Sequence, residues 1–392
     1  MNFGRTVFSQ LMDRIDHNEF HRIVASHRGN ARKLTFSCWD QYLCMAFAQL
    51  TYRESLRDIE SCLRALGAKL YHAGIRSPIS RSTLAYANEH RPWQIYRDLT
   101  LSLIAQARAL YANDRLMNEI DAAIYALDAT VIDVCLQLFP WAKAQQHLKT
   151  TAAVKLHTLL EVQQNLPVFA RGSVANLYEV HLLDELIFEP GSFYLLDRGY
   201  TDFRRLKLID SSGAFFVIRA KRHLRFARLE SHPVDKARGV MVDQSIHLII
   251  KRSVEGYPDR LRRIKVFDAE NRRTLVFLTN NFQLDAHIIA DLYRLRWRIE
   301  LFFKWIKQHL HIKAFYGTSS NAVNIQIWIA LSVYVLVAIV RKELKLDLPL
   351  YTMLQILSLT LLEKLPIYQV LTDAQLVQDY IGNPNQLSLF AL

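Results

Sequence analysis

Apolar residues recur at helical spacing through the first quarter of the chain. Phe8 to Ile15 and Tyr52 to Leu66 each repeat them three or four apart, and Gly67 breaks the second run. The pattern predicts a helical N-terminal domain over residues 1–75. Past Ser77-Pro78, Ser80 or Ser82 is placed to cap a short helix, RSTLAYANEHR, within a helical segment 76–118. Its polar and basic residues suit a nucleic-acid groove as the second helix of a helix-turn-helix, and they equally suit a surface helix closing a bundle. From about residue 120 the period shortens to that of strands: AAIYALDA, AVKLHTLLEV, LPVFARGS, SFYLLDRGY and AFFVIRA. Helical stretches are expected at Leu177 to Leu186 and Asp202 to Ile209, giving a mixed α/β core over 119–220. Further short strands over 221–284, with turn signals at Glu255-Gly256-Tyr257-Pro258 and Asp268-Ala269-Glu270-Asn271, predict an inserted β-rich unit. Residues 285–345 return to helix, and 346–392 form a helical C-terminal region ending in a tail. The most apolar stretch, Ala322 to Val340, has only Asn324, Gln326 and Ser332 as polar residues. It is read as the buried helix of a large core, with no membrane span.

Charge adds a partner to this picture. The net charge is +12, and from Phe215 to Asp285 the chain has 15 Lys and Arg against 8 Asp and Glu, so the predicted insertion holds more than half of the excess. Such a balance favours a polyanion, with nucleic acid first. The run KRHLRFAR interleaves basic and apolar residues, as a strand would with one face packed inward and the other on phosphates; a solvated strand face fits the same residues. With 51% hydrophobic and 22% charged residues, neither a disordered nor a fibrous chain is indicated. Cys38, Cys44, Cys62 and Cys135 show no zinc spacing, and the N-terminus lacks a secretory signal, so a cytoplasmic protein is expected.

The segment with most chemistry is Tyr293 to Lys307, YRLRWRIELFFKWIK, free of Pro and Gly and predicted to be one continuous helix. At ~100° per residue, Tyr293, Arg296, Glu300, Lys304 and Lys307 share an arc of roughly 80°, opposite Leu295, Ile299, Phe302 and Ile306. By itself this also describes an ordinary amphipathic helix with a Glu300–Lys304 pair. Asp128 and Asp197 each stand near the end of an apolar strand, where a lone Asp is commonly a cap or turn residue. Together, two strand-end aspartates and a helical glutamate can hold two Mg²⁺ ions about 3.5–4 Å apart for in-line attack at a phosphodiester.

These residues carry a family resemblance. Tyr293, Arg296, Glu300 and Lys307 make a complete Tyr-x2-Arg-x3-Glu-x6-Lys signature, while LDAT at Leu127 to Thr130 and LLDRGY at Leu195 to Tyr200 match the motifs around two aspartates. FSQLMDRI near the N-terminus and GTSSNAVNIQIW after the signature also match. The chain resembles the bacterial DDE transposases of insertion-sequence family four, relatives of the transposon-five enzyme. The resemblance implies an RNase H-like catalytic core interrupted by a β-strand-rich insertion, an α-helical N-terminal DNA-binding region and a helical C-terminal region. It implies that Asp128, Asp197 and Glu300 hold two Mg²⁺ ions, for which Mn²⁺ can substitute. Tyr293, Arg296, Lys304 and Lys307 would grip phosphates of the transposon end, with Thr130 and Arg198 as secondary candidates. The implied activity is cleavage and strand transfer at terminal inverted repeats by a homodimeric synaptic complex on double-stranded DNA, through a hairpin intermediate, in the bacterial nucleoid. Trp297 or Trp305 could stack a flipped base there, although core packing is the favoured reading of both. A metal-dependent endonuclease of the same fold and a transposase-derived DNA-binding regulator are the alternatives. In the tail, Gln386, Leu387, Leu389 and Phe390 resemble the short peptide with which bacterial proteins dock on the DNA polymerase sliding clamp; packing back onto the last helix is the other reading.

Overall fold

The computed structural model describes residues 4–31, 35–76, 78–111, 120–135, 137–142, 152–174, 179–269, 271–309 and 315–373. The tail residues Gln386, Leu387, Leu389 and Phe390 lie outside them. In chain order the helices α1 (Val7–Met12), α2 (His17–Ser26), α3 (Cys38–Leu50), α4 (Leu56–Leu66), α5 (Lys69–His72), α6 (Arg81–His90) and α7 (Gln94–Tyr111) come first. Strands β1 (Ile124–Val134), β2 (Ala152–Glu161), β3 (Leu166–Val174) and β4 (Phe193–Leu196) follow, then α8 (Phe203–Ser211), β5 (Phe215–Arg219), β6 (Phe226–Ser231) and β7 (Val240–Leu248). The order ends with α9 (Lys251–Gly256), β8 (Leu261–Asp268), β9 (Arg273–Thr279), α10 (Ala286–Leu295), α11 (Trp297–His309), α12 (Ser320–Glu343) and α13 (Leu350–Thr360).

The chain divides into two compact units, Met1–Asn113 with Trp305–Leu392, and Asp114–Lys304. The first is helical. Its N-termini are capped as the sequence asks: Ser37 and Asp40 form a reciprocal capping box on α3, and Ser80 accepts from the Thr83 amide to start α6. Gly67 ends α4 with a positive φ. Through α12 runs the most apolar stretch of the chain, and 94% of that stretch is buried inside the protein. Its few polar groups are met there. Gln326 accepts from the Tyr316 amide at 2.8 Å, and Thr100 and Tyr111 of α7 donate to the Trp328 and Ala338 carbonyls. Burial on every side explains why a helix of this hydropathy serves as a core element.

The second unit is built on one sheet of nine strands among the described residues, in the order β3-β2-β1-β4-β5-β9-β8-β7-β6. Antiparallel pairing joins β3, β2 and β1; β4 and β5 then run parallel to β1, and β9 to β6 return as antiparallel hairpin partners. Alternation along β9 shows how both faces are covered. Leu278 joins the cluster of Tyr194, Leu196, Phe216, Leu206 and Ile209, the last two from α8, whereas its neighbour Phe277 packs its ring 4.7 Å from that of Tyr293 on α10.

Three expectations need correction. The expected single helix Tyr293 to Lys307 is two helices with a break at Arg296. There the Arg296 amide donates to the Tyr293 carbonyl and the Ile299 amide to the Arg296 carbonyl, three residues back instead of four, which tightens the turn. Strand β1 continues to Val134, so Asp128 is a mid-strand residue, not a strand-end one. Strand β6 is the sheet edge, and the KRHLRFAR run keeps its alternation: Leu224 and Phe226 are half-buried against the core, while its basic residues are exposed. Trp297 is 57% exposed and is no core aromatic, while Trp305 does pack edge-on against Tyr334.

One buried pair in the helical unit gives a test of this architecture. Tyr42 and Ser332 are both buried, and their hydroxyls lie 3.0 Å apart. Ser332 sends its own proton to the Ile329 carbonyl, so Tyr42 is the donor of the pair. Ser332→Ala would strand a buried phenol and should cost about 1–3 kcal/mol, whereas Tyr42→Phe leaves no buried donor unmet and should cost less. Urea denaturation midpoints of the two variants check the asymmetry.

Candidate active site

Two aspartates meet because two strands are in register. Leu127 of β1 pairs with Leu196 of its parallel neighbour β4, so Asp128, within β1, and Asp197, just past the end of β4, lie at one level. At that level β4 stops, and β1 runs on paired only with β2. An opening at the carboxyl end of a parallel strand is where open α/β sheets place ligands. Asp197 begins a single 3₁₀ turn, Arg198–Tyr200, that carries the chain away from the sheet.

The third acid comes from α11. Arg296, at the break before that helix, donates through Nη1 to Asp128 Oδ2 at 2.9 Å and through Nη2 to Glu300 Oε1 at 2.6 Å. One guanidinium thus bridges two of the three predicted acids, and its side chain is only 15% exposed. Tyr293 reaches the remaining one, its hydroxyl 3.5 Å from Asp197 Oδ1, at the outer limit of a hydrogen bond. Lys304 is exposed on α11; Lys307 belongs to the helical unit and is half-buried. Asp128, Asp197, Tyr293, Arg296 and Glu300 are therefore brought together, and Lys304 is on the surface. Thr130 and Arg198 are half-buried near the two aspartates in sequence.

The electrostatics show what the cluster lacks. Burial pushes the Asp128 carboxyl up to about 6; the Ala129 amide and Arg296 pull it down, and the like charges of Glu179 and Glu300 push it up again. Burial also raises Tyr293 to about 12, with Arg296 opposing and Asp197 adding to the rise. For Arg296, burial works against its charge, but Tyr293, Asp128 and Glu300 together hold it above the ordinary guanidinium range.

Glu179 is a participant the sequence did not single out. Its Oε1 accepts from Lys155 of β2 at 3.1 Å, and its Oε2 is 3.3 Å from where a Cβ on Gly199 would be. A side chain at 199 would crowd it, so the Gly in LLDRGY leaves room for a fourth carboxylate. Tyr200 is the other. Its hydroxyl is fully buried, has no hydrogen-bond partner among the described residues, and feels the charges of Glu179, Asp128, Asp197 and Arg296. Motif matching could have raised Gly199 and Tyr200, since both lie in the LLDRGY segment; nothing in the sequence pairs Glu179 with them.

These observations bear on a divalent metal. Three carboxylates offer the hard oxygen donors such an ion requires, and an orphaned phenol together with a buried, proton-seeking Asp128 marks a place short of positive charge. The donor set fits. Among the described residues no three His, Cys, Asp or Glu side chains are gathered closely enough to hold an ion as they stand. Arg296 stands between two of them.

A second feature of the same unit is a cavity of about 810 Å³ that begins just past Asp197, beside Thr201 and Asp202. Arg204, Lys221, His223, Arg225 and Arg252 line it, all exposed. Its two acids, Asp184 and Asp202, are both paired with Arg205. By contrast, Arg262 of β8 is spent inside the sheet on Asp243 at 2.7 Å, so part of the insertion's positive charge is structural.

The sheet sets two aspartates side by side with a glutamate reached from a helix, an α/β arrangement of acids, and comparison with known proteins gives its class. The family described as transposase DDE domain matches residues 120–336, a span that includes all three acids. The chain belongs to that family and is a DDE-type insertion-sequence transposase, an enzyme acting on DNA. A domain of unknown function, DUF4372, matches residues 3–76. The chain is 29% identical over 279 residues to y4zB of Sinorhizobium fredii, named as a transposase, covering 70% of this chain and 76% of that one. It is 26% identical to the transposase named for element IS5377 of Geobacillus stearothermophilus, over 65% of this chain and 66% of the relative. To the transposase named for IS4SA of Synechocystis it is 20% identical, over 81% and 87%. A looser likeness, at TM-score 0.46 and 10% identity over 97% of this chain and 81% of the other, is to a piggyBac transposase synaptic complex with hairpin DNA.

The raised Asp128 carboxyl sets a pH dependence. A folded-state pKa above the unfolded value means the native protein holds this proton to higher pH, so stability from this group is present near pH 4 and lost as pH rises through about 6. Asp128→Asn should therefore stabilise the protein at neutral pH by up to about 3 kcal/mol, and the gain should vanish near pH 4. Denaturant midpoints of variant and wild type at the two pH values test this.

Proposed function

We propose that this transposase binds the terminal inverted repeats of its insertion sequence and catalyses Mg²⁺-dependent cleavage and strand transfer there, as a member of insertion-sequence family four. The observation that carries the reading is the meeting of Asp128, Asp197 and Glu300 around Arg296 at one opening of the sheet. Strands in the order β3-β2-β1-β4-β5, three antiparallel and then two parallel, support an RNase H-like core over 119–220 and 285–345, with β6 to β9 as the insertion over 221–284. When bound, two divalent ions supply activation of the attacking oxygen and stabilisation of the leaving one; Mg²⁺ suits the donors, and Mn²⁺ would substitute.

The residues divide the remaining work. Asp128 and Asp197, on neighbouring strands, fix two donors against each other, and Glu300 supplies the third from α11. Arg296 engages a phosphate through paired donors, which sets the geometry of the strand, while Lys304 and Lys307 add charge with less direction. Strand transfer repeats the displacement with the released 3′-hydroxyl as nucleophile. For a hairpin step, exposed Trp297 offers a stacking face next to Arg296. The basic cavity beside Thr201 and the exposed residues of α6 are the surfaces proposed for duplex DNA, and synapsis of two ends calls for a homodimer. The tail Gln386 to Phe390 is proposed to dock on the sliding clamp.

Purified protein with Mg²⁺ should nick and join DNA bearing its own end sequences, and Asp197→Asn should abolish both steps while duplex binding by fluorescence anisotropy persists. Undiminished strand transfer by that variant would refute the assignment, and cleavage without joining would make the protein an endonuclease. Pull-down of the clamp should succeed with the full chain and fail with a chain ending at Pro384.

A further inference from the structure

The residue proposed to grip phosphate is already occupied. Both terminal nitrogens of Arg296 are committed to carboxylates, one to Asp128 of β1 and one to Glu300 of α11. A guanidinium on a single acid usually engages it with both forks; here the fork is split across two acids, so it fills the gap between them. We propose that Arg296 is a positioning residue that stands in for a metal ion: a divalent cation and the guanidinium compete for Asp128 and Glu300, and DNA phosphate relieves the competition by drawing the guanidinium away. The proposal rests on the reading of these acids as the metal holders.

Three observations favour an exchangeable position over a permanent one. The Arg296 Nε is buried with no partner among the described residues, so the bridge leaves a donor unmet that a phosphate could satisfy. Arg296 itself stands at the break between α10 and α11, outside both helices, where its backbone is held by three-residue hydrogen bonds alone. And the acids it joins are not gathered for an ion while it lies between them. A hard divalent ion needs carboxylate oxygens packed about 2.0–2.1 Å from one centre, which a planar cation wedged between them prevents. Phosphate oxygens match the guanidinium fork as well as carboxylates do, so a strand laid along the opening offers Arg296 an equal partner. Thermodynamic linkage then requires that DNA tighten metal binding and metal tighten DNA binding by the same factor.

The test titrates Mn²⁺ into the full-length protein by calorimetry, with and without a short duplex oligonucleotide, and needs no turnover. For wild type, the duplex should tighten Mn²⁺ binding by about tenfold, within the range of ordinary coupling between sites. Arg296→Gln should bind Mn²⁺ about tenfold more tightly than wild type without DNA, and the duplex should then add nothing. If that variant fails to fold by circular dichroism, Arg296→Lys, which keeps the charge but loses the fork, should fall between the two. Mn²⁺ binding that is unchanged or weakened in the folded Arg296 variant would overturn the proposal. Asp197→Asn separates the levels: if it leaves Mn²⁺ binding intact, the metal-site reading itself fails; if it abolishes binding while the Arg296 variant shows no tightening, only the exchange fails.

Discussion

Two carboxylates in one half-buried opening repel each other unless a proton or a cation relieves them, and between Asp128 and Glu300 the guanidinium of Arg296 does so. Asp128 and Glu300 are 172 positions apart in sequence and come from a strand and a helix, so no local rule brings them together. The bridge does. Its demands explain features that look unrelated. Strand β4 stops where Asp128 begins to face the opening, which leaves room for an arginine to enter. The helical run that would have been continuous tightens at Arg296, and α11 restarts with Ile299, Phe302 and Ile306 buried, which anchors the helix while Glu300 stays partly exposed.

The cost of this arrangement is local, and the sheet around it absorbs that cost. Several buried polar atoms without partners among the described residues belong to the surroundings of Asp128: the Tyr200 hydroxyl, the Arg296 Nε, the Thr158 hydroxyl and one nitrogen of His157. Thr158 is the cross-strand partner of Asp128, and His157 is the partner of Ala129. Burial, with Lys155 and Arg171 adding to it, lowers His157 to about 4, so it is neutral where an ordinary histidine would begin to charge. Each unmet group costs on the order of 1–3 kcal/mol, which a lone hairpin could not bear. A sheet whose face buries Tyr125, Leu127, Tyr194, Leu196, Phe216 and Leu278 in one cluster can. Unmet polar groups gathered beside acidic side chains are a usual mark of function.

How much of this was legible in the sequence depended on the range of the interaction. Strands β1 to β5 follow from period-two runs, and the acids follow from their motifs, because both signals are local. The α12 core helix was equally legible, since nineteen nearly unbroken apolar residues in a basic chain leave few alternatives. What periodicity could not reveal was the partner of each residue. An ideal helix puts Arg296 and Glu300 on one face as separate phosphate and metal groups; only the tertiary position of Asp128 turns Arg296 back upon the acids and breaks the helix there. The exposure of Trp297 was legible, because at ~100° per residue it falls beside Tyr293 and Glu300 on the chemical face, opposite Ile299 and Phe302. Glu179 was invisible, as its role comes from Lys155 on one side and the absent side chain of Gly199 on the other.

Counting charges around the opening shows why a site of this kind is poised and not satisfied. Four carboxylates, Asp128, Glu179, Asp197 and Glu300, face it. Lys155 neutralises Glu179, and the single charge of Arg296 is shared between Asp128 and Glu300. Asp197 has the Tyr293 hydroxyl at 3.5 Å and the field of Arg219, itself depressed by burial and by Arg198. Asp128 and Glu300 thus share one paired cation, and that local deficit has to appear somewhere. It adds to the raised pKa of Asp128, which burial chiefly sets and to which the like charges of Glu179 and Glu300 contribute. A fully neutralised cluster would be more stable and would have no reason to take up a further cation. The raised Asp128 carboxyl is what couples the stability of the fold to pH.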